Sequence, residues 1–174
     1  MTTRLKAEDL IRDVPDWPIS GVVFKDLTPV MRDPDAMDEI ATMMAAEAKR
    51  MGANTVLGID ARGFIFGGIV ADRLRLPFIP VRKMDKLPWK TIREEYALEY
   101  GTATIEMHID AVDATSRVVV IDDLLATGGT SQASAKMVER LGATVVGFIF
   151  LVELTFLHGR DKLGGYEVTS FIRY

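Results

Sequence analysis

The chain has 174 residues, 48% of them apolar and 26% charged, and a net charge of −4. That is length enough for one domain with a sizeable core, while the acidic balance argues against a broad nucleic-acid-binding face, so any phosphate binding has to come from a local site. The lack of cysteine excludes disulfides, thiolate nucleophiles and cysteine-based zinc sites, and fits a reducing, cytoplasmic compartment.

Residues 4–13 read as a short helix that ends before Pro15. Residues 14–30, with Pro15, Pro18, Gly21 and Pro29, read as an irregular arm. Asp33-Pro34 is a helix start, an N-cap followed by proline in the first turn. Met37, Ile40, Ala41, Met44, Ala48 and Met51 then share one helical face as core filler, and Gly52 closes the helix. Residues 55–59 form a short apolar strand, 60–63 a loop, 64–74 a helix and 77–81 the next strand. This β-α-β order implies parallel pairing with a right-handed crossover. Residues 82–93 are a basic excursion carrying Pro88 and Trp89. Residues 95–100 and 102–109 alternate in polarity, which suggests an antiparallel ribbon standing off the sheet.

Residues 118–121 form a buried strand, 131–141 a helix, 144–152 another buried strand, 156–163 a short helical stretch and 167–173 a last strand. The pattern is that of one α/β domain over residues 1–174, with a parallel-sheet core from 34 to 174 and a small N-terminal part, 1–33. No apolar run reaches about 18 residues, so no membrane span is expected. Residues 1–9 lack the apolar stretch of a signal peptide.

The most informative stretch is residues 118–130, Val-Val-Val-Ile-Asp-Asp-Leu-Leu-Ala-Thr-Gly-Gly-Thr. Four apolar residues read as a central parallel strand, buried on both faces. Ligands of open α/β sheets bind just beyond the carboxyl ends of such strands. The loop Ala126, Thr127, Gly128, Gly129 and Thr130 can bring successive backbone N–H groups onto one phosphate, and the helix that follows adds its dipole. Asp122 and Asp123 would repel that anion unless a ribose stood between, its hydroxyls donating to the carboxylates and its 5′-phosphate in the loop. No Gly-Lys-Ser/Thr follows, so this is not a P-loop, and the glycine spacing is not that of a dinucleotide fingerprint. The stretch closely resembles the phosphoribosyl-pyrophosphate (PRPP) signature of the type I phosphoribosyltransferases.

A second loop at a strand end, Asp60, Ala61, Arg62 and Gly63, could hold another anion on its amides and the Arg62 guanidinium. By the same resemblance it takes the pyrophosphate of PRPP and carries a cis peptide at Asp60–Ala61. The excursion with Arg82, Lys83 and Lys86 reads as a lid over residues 82–101 that closes on that pyrophosphate and excludes water. Further along, Arg82-Lys83-x-x-Lys86-Leu-Pro, Leu98-Glu99-Tyr100-Gly101 and the signature itself are similar in order and spacing to the adenine phosphoribosyltransferase family. So are Gly21-Val22-Val23-Phe24-Lys25-Asp26, residues 60–67 and Leu151-Val152-Glu153-Leu154.

That resemblance spans nearly the whole chain, and it implies transfer of the 5-phosphoribosyl group from PRPP to adenine, giving AMP and pyrophosphate. It also implies a homodimer, and a hood in which Phe24 stacks on adenine while backbone groups near Val23 and Lys25 read the base edge. Glu99 is implied as the catalytic acid near the purine N7. Many relatives have arginine where this chain has Lys25. Mg²⁺ is expected to ride on the substrate phosphates, since no grouped His, Asp or Glu ligands suggest a metal held mainly by protein. His108 and His158 neighbour no motif and read as structural or surface residues. Two alternatives stay open: transfer to another base, and a non-catalytic regulator that senses PRPP or nucleotides.

Overall fold

A computed structural model describes residues 4–97 and 101–174. The chain divides into two compact units, residues 1–43 and 44–174.

In the first unit, α1 (Lys6–Leu10) is followed by an antiparallel pair, β1 (Arg12–Pro15) and β2 (Val23–Asp26), and by α2 (Thr28–Arg32). Helix α3 (Pro34–Arg50) begins here and runs into the second unit. The register pairs Val14 with Phe24 and Asp13 with Lys25. The expected helix over 4–13 is therefore short, and the arm is less irregular than its prolines suggested. Residues 12–15 go into the ribbon because Asp16 folds the chain back, its carboxylate accepting the Gly21 N–H at 2.7 Å. Asp33 caps α3 as its sequence promised, accepting the Ala36 N–H at 2.9 Å.

The second unit is a seven-stranded sheet with helices on both faces. Along the chain come β3 (Thr55–Ile59), α4 (Arg62–Leu74), β4 (Phe78–Lys83), β5 (Thr91–Ala97), β6 (Thr102–His108), β7 (Arg117–Leu125), α5 (Gly129–Arg140), β8 (Thr144–Glu153), two 3-10 turns (Thr155–Leu157 and Gly159–Leu163) and β9 (Val168–Arg173). In space the order is β5-β6-β4-β3-β7-β8-β9. Strands β4, β3, β7, β8 and β9 are parallel, and β6 joins β4 antiparallel at Arg82↔Glu106 and Lys83↔Ile105. The ribbon β5–β6 is thus an extension of the sheet edge; it does not stand free of it.

Val118 to Ile121 of β7 are all 0% exposed, which is why this strand reads as an unbroken apolar run. Val118 and Val120 face a core shared with Leu57, Val81, Phe148, Phe150 and, from α5, Ala133 and Met137. Helix α4 covers the other face over β3 and β7. From β3 the order steps outward to β4 on one side, and from β7 to β8 and β9 on the other, so the winding reverses between β3 and β7. Side chains at the carboxyl ends of those two strands border a crevice that no crossover covers. Among the described residues no helix is long and apolar enough to cross a membrane.

Candidate active site

Three adjoining hollows open at that reversal, and Asp122 lines all of them. One, of about 310 Å³, lies between Asp60, Ala61, Arg62, Asp122, Asp123 and Leu124. A second, of about 160 Å³, is bordered by Asp60, Arg82, Lys83, Tyr96, Asp122 and Thr130. The third, of about 80 Å³, follows the loop from Asp122 and Leu124 to Ser131. The sequence-predicted residues Asp60 to Arg62, Arg82, Lys83, Asp122, Asp123 and Ala126 to Thr130 therefore meet in one place.

The paired carboxylates lie within β7, not beyond it, because the strand continues to pair with β8 through Asp122↔Phe150 and Leu125↔Glu153. Asp123 is 4% exposed and is ion-paired with Arg62 of the neighbouring loop. The carboxyl of Asp122 is pushed well above the usual carboxylate range, first by burial and next by the charge of Asp123. Helix α4 can begin against this strand only because residue 63 is glycine. A Cβ there would lie 2.8 Å from both Asp122 Oδ1 and the Ile121 carbonyl. The expected cis peptide at Asp60–Ala61 is present.

In the loop of residues 126–130 Gly128 has φ +76°, a left-handed conformation that suits glycine, and α5 starts at the next residue. The first-turn N–H groups of such a helix have no intrahelical acceptor and attract an anion. The back of the loop rests directly on backbone. A Cβ on Gly128 would collide with the Gly159 carbonyl, and one on Gly159 with the Ala126 carbonyl. Arg160, next in the chain, is held by both oxygens of Glu153 at 2.9 and 2.6 Å and donates to the Val168 carbonyl at 2.8 Å. Gln132 of α5 donates to the Lys162 carbonyl at 2.9 Å. Sequence reasoning missed this brace: one glycine in a polar stretch gives no sign that another loop leans on it.

Arg82, expected as a lid cation, donates to Asp60 at 3.0 Å and to the Lys86 carbonyl at 3.1 Å. Lys83 is exposed and borders the second hollow. The side chain of Lys86 is exposed and lines none of the three hollows; its backbone is what reaches the site, through Arg82. The described part of the ribbon is tied to α5, with Glu94 paired to Arg140 at 2.9 Å and to Lys136 at 3.5 Å. Tyr96 packs where a Cβ on Gly129 would lie 3.0 Å from its ring. Glu99 lies outside the described residues. Val23, Phe24 and Lys25 belong to the first unit, where Phe24 meets Trp17 edge-on at 4.4 Å and Lys25 pairs with Asp13 at 2.6 Å. Lys25 thus ties β2 to β1.

A loop of amides at a helix start, two acids beside it and a second loop with a guanidinium supply the donors and acceptors that a sugar bearing anions at both ends would need. A family model described as "Phosphoribosyl transferase domain" matches residues 32–171. An adenine phosphoribosyltransferase of Kosmotoga olearia is 48% identical over 98% of this chain and 100% of its own length. The chain belongs to the adenine phosphoribosyltransferase family.

Structures agree with that membership. The crystal structure of adenine phosphoribosyltransferase from Thermoanaerobacter pseudethanolicus is 49% identical, covers 97% of this chain and 98% of its own, and superposes with a TM-score of 0.93. The adenine phosphoribosyltransferase of Trypanosoma brucei, solved with AMP, pyrophosphate and ribose-5-phosphate, is 28% identical, with 97% of this chain and 78% of that one covered and a TM-score of 0.88. The type I phosphoribosyltransferase fold, with a mixed central sheet, flanking helices and a small antiparallel pair near the N-terminus, is that of this chain.

Proposed function

We propose that the chain transfers the 5-phosphoribosyl group of PRPP to N9 of adenine, releasing pyrophosphate and giving AMP. The observation that carries this reading is Asp122, which borders all three hollows at the sheet's reversal. A ribose there donates hydroxyls to Asp122 and Asp123, with its 5′-phosphate on Ala126 to Thr130. The pyrophosphate at C1 lies toward Asp60 to Gly63, Arg82, Lys83 and Lys86. The C1–O bond to pyrophosphate breaks with oxocarbenium character, and the carboxylate field suits the positive charge that develops. Phe24 stacks on adenine, backbone groups at Val23 and Lys25 read its edge, and Glu99 acts as the acid near N7.

Among the described residues no three His, Cys, Asp or Glu side chains group as a metal site. Asp60 and Asp123, which share a hollow with Asp122, are each engaged by an arginine. This donor set fits Mg²⁺ arriving on the substrate, where it neutralises the leaving pyrophosphate. The reading includes a homodimer working in the cytoplasm. It is tested by supplying the purified protein with PRPP, Mg²⁺ and a panel of bases and identifying products by chromatography. Adenine is expected to be used at least about a hundredfold better than hypoxanthine or guanine, roughly 2.7 kcal/mol in transition-state binding. Equal turnover of hypoxanthine overturns the base assignment.

A further inference from the structure

Glu106 sits in the middle of β6 between Ile105 and Met107 and is 0% exposed. A carboxylate in such a place is costly unless donors surround it. Four do: the backbone N–H groups of Lys86 at 2.9 Å and Leu87 at 2.8 Å, Arg93 Nε at 3.2 Å and the Thr91 hydroxyl at 3.3 Å. Burial raises the carboxyl's pKa, but the N–H groups of Leu87, Lys86 and Asp85 and the charge of Arg93 outweigh it, so the group stays ionised. Two of these donors are successive amides of the turn that follows Arg82 and Lys83. The same turn offers the Lys86 carbonyl to Arg82, whose Nε holds Asp60. Arg93 closes the arrangement from outside by pairing with Asp85 at 2.9 Å.

We propose that Glu106 is a positioning residue for the pyrophosphate side of the site. By fixing the Lys86–Leu87 backbone it fixes the carbonyl against which Arg82 is oriented, and through Arg82 the Asp60 loop. Glu106 touches no hollow itself and lies directly across from Arg82 in the strand register, so the route runs through one turn of chain. A buried apolar residue would fill the same space at less cost if packing alone were required. Both amides donate to one oxygen, Oε1, while Arg93 Nε and the Thr91 hydroxyl donate to the other, so a carboxylate serves all four donors at once. Glutamine keeps an acceptor for the amides but sets its NH₂ against the Arg93 donor and removes the charge that strengthens the whole set.

The inference rests on the reading of this corner as the pyrophosphate site, and the experiment separates the two. Wild type, Glu106→Gln, Arg93→Met, Arg82→Lys and the double variant Glu106→Gln/Arg82→Lys are assayed for AMP formation. Inhibition by pyrophosphate and by ribose 5-phosphate is measured for each, with Mg²⁺ present. Glu106→Gln is expected to weaken pyrophosphate and raise the KM for PRPP about tenfold, with kcat, the KM for adenine and ribose 5-phosphate inhibition changed less than about twofold. Arg93→Met, at a more exposed side chain, moves the same constants the same way by less, and reports on the relay even if Glu106→Gln does not fold. In the Arg82→Lys background Glu106→Gln adds little, because the group it acts through is already altered. Unchanged pyrophosphate inhibition in both Glu106→Gln and Arg93→Met overturns the proposal. So does an equal loss for ribose 5-phosphate and adenine, or full additivity with Arg82→Lys. Wild type that makes no AMP overturns the reading of the site instead.

Discussion

At the residue scale the two neighbouring aspartates are not equivalent. Asp123 has Arg62 to balance it, whereas Asp122 is held above the ordinary carboxylate range by burial and by Asp123. A carboxyl whose pKa is raised on folding adds stability below its unfolded pKa and loses it as pH rises through the folded value. At neutral pH the buried carboxyl of Asp122 is therefore a liability to the fold, because stability has been lost relative to acid pH. Asp122→Asn is expected to keep or raise the melting temperature while PRPP use falls by orders of magnitude. Asp123→Asn, which removes the ion pair with Arg62, is expected to lose about 1–3 kcal/mol as well as activity. Thermal unfolding at pH 7 checks the order; if Asp122→Asn is the less stable variant, the account of the pair is wrong. The residues themselves were legible in the sequence, because two acids next to a glycine loop are rare. Their asymmetry was not, since Arg62 is 61 positions from Asp123 and meets it only through the packing of β3 beside β7.

Among the elements, the turn Gly159–Leu163 shows what a local pattern hides. Its place behind the loop of residues 126–130 depends on two glycine backbones in contact. Gly159→Ala is expected to push Ala126 out of place and raise the KM for PRPP tenfold or more, since a shift of about 1 Å can cost on the order of a hundredfold. The KM for adenine should hardly change. Gly164→Ala is the control: its Cβ meets nothing closer than the Asp161 carbonyl at 3.5 Å. Comparable PRPP kinetics in the two variants would remove the brace from the argument. Strands β3, β7 and β8 and helices α3 to α5 could be read from periodicity because burial alone dictates them. The β1–β2 pair could not, for Arg12–Pro15 has no alternating pattern and owes its extended form to its partner.

For the whole second unit, the far edge of the sheet is held by Glu153, at the end of β8. Its carboxylate accepts from Arg160 and, across to β9, from Ser170, and it is ion-paired with Arg173. The Arg160 hydrogen bonds, ahead of the opposing effect of burial, hold its pKa down to about 2. A carboxyl lowered on folding stabilises above its unfolded pKa, about 4.5, and loses that contribution as pH falls toward 2. The contribution at neutral pH is on the order of 3 kcal/mol. Acid unfolding followed by circular dichroism should therefore steepen between those values, and Glu153→Gln should flatten the curve there while lowering stability at pH 7. An unchanged acid limb in that variant would place the sensitivity elsewhere. Composition and strand order predicted a parallel sheet with its site at the carboxyl edge. Nothing in the sequence pattern shows that the winding reverses between β3 and β7, which is what places the loops at their carboxyl ends side by side.

The pairing of Arg62 with Asp123 means that the two loops already satisfy one another before a substrate arrives. In the proposed roles one belongs to the pyrophosphate and the other to the ribose, so each end of PRPP meets an internal competitor. Pyrophosphate alone draws Arg62 away and leaves a buried carboxylate bare; a bare sugar phosphate does the reverse. Only a molecule that brings an anion and a diol together replaces both halves of the pair at once. On the proposed roles the site would thereby discriminate against fragments of its substrate: pyrophosphate and ribose 5-phosphate should each bind more tightly in the presence of the other, a synergy that titration calorimetry reads directly and that Asp123→Asn should weaken.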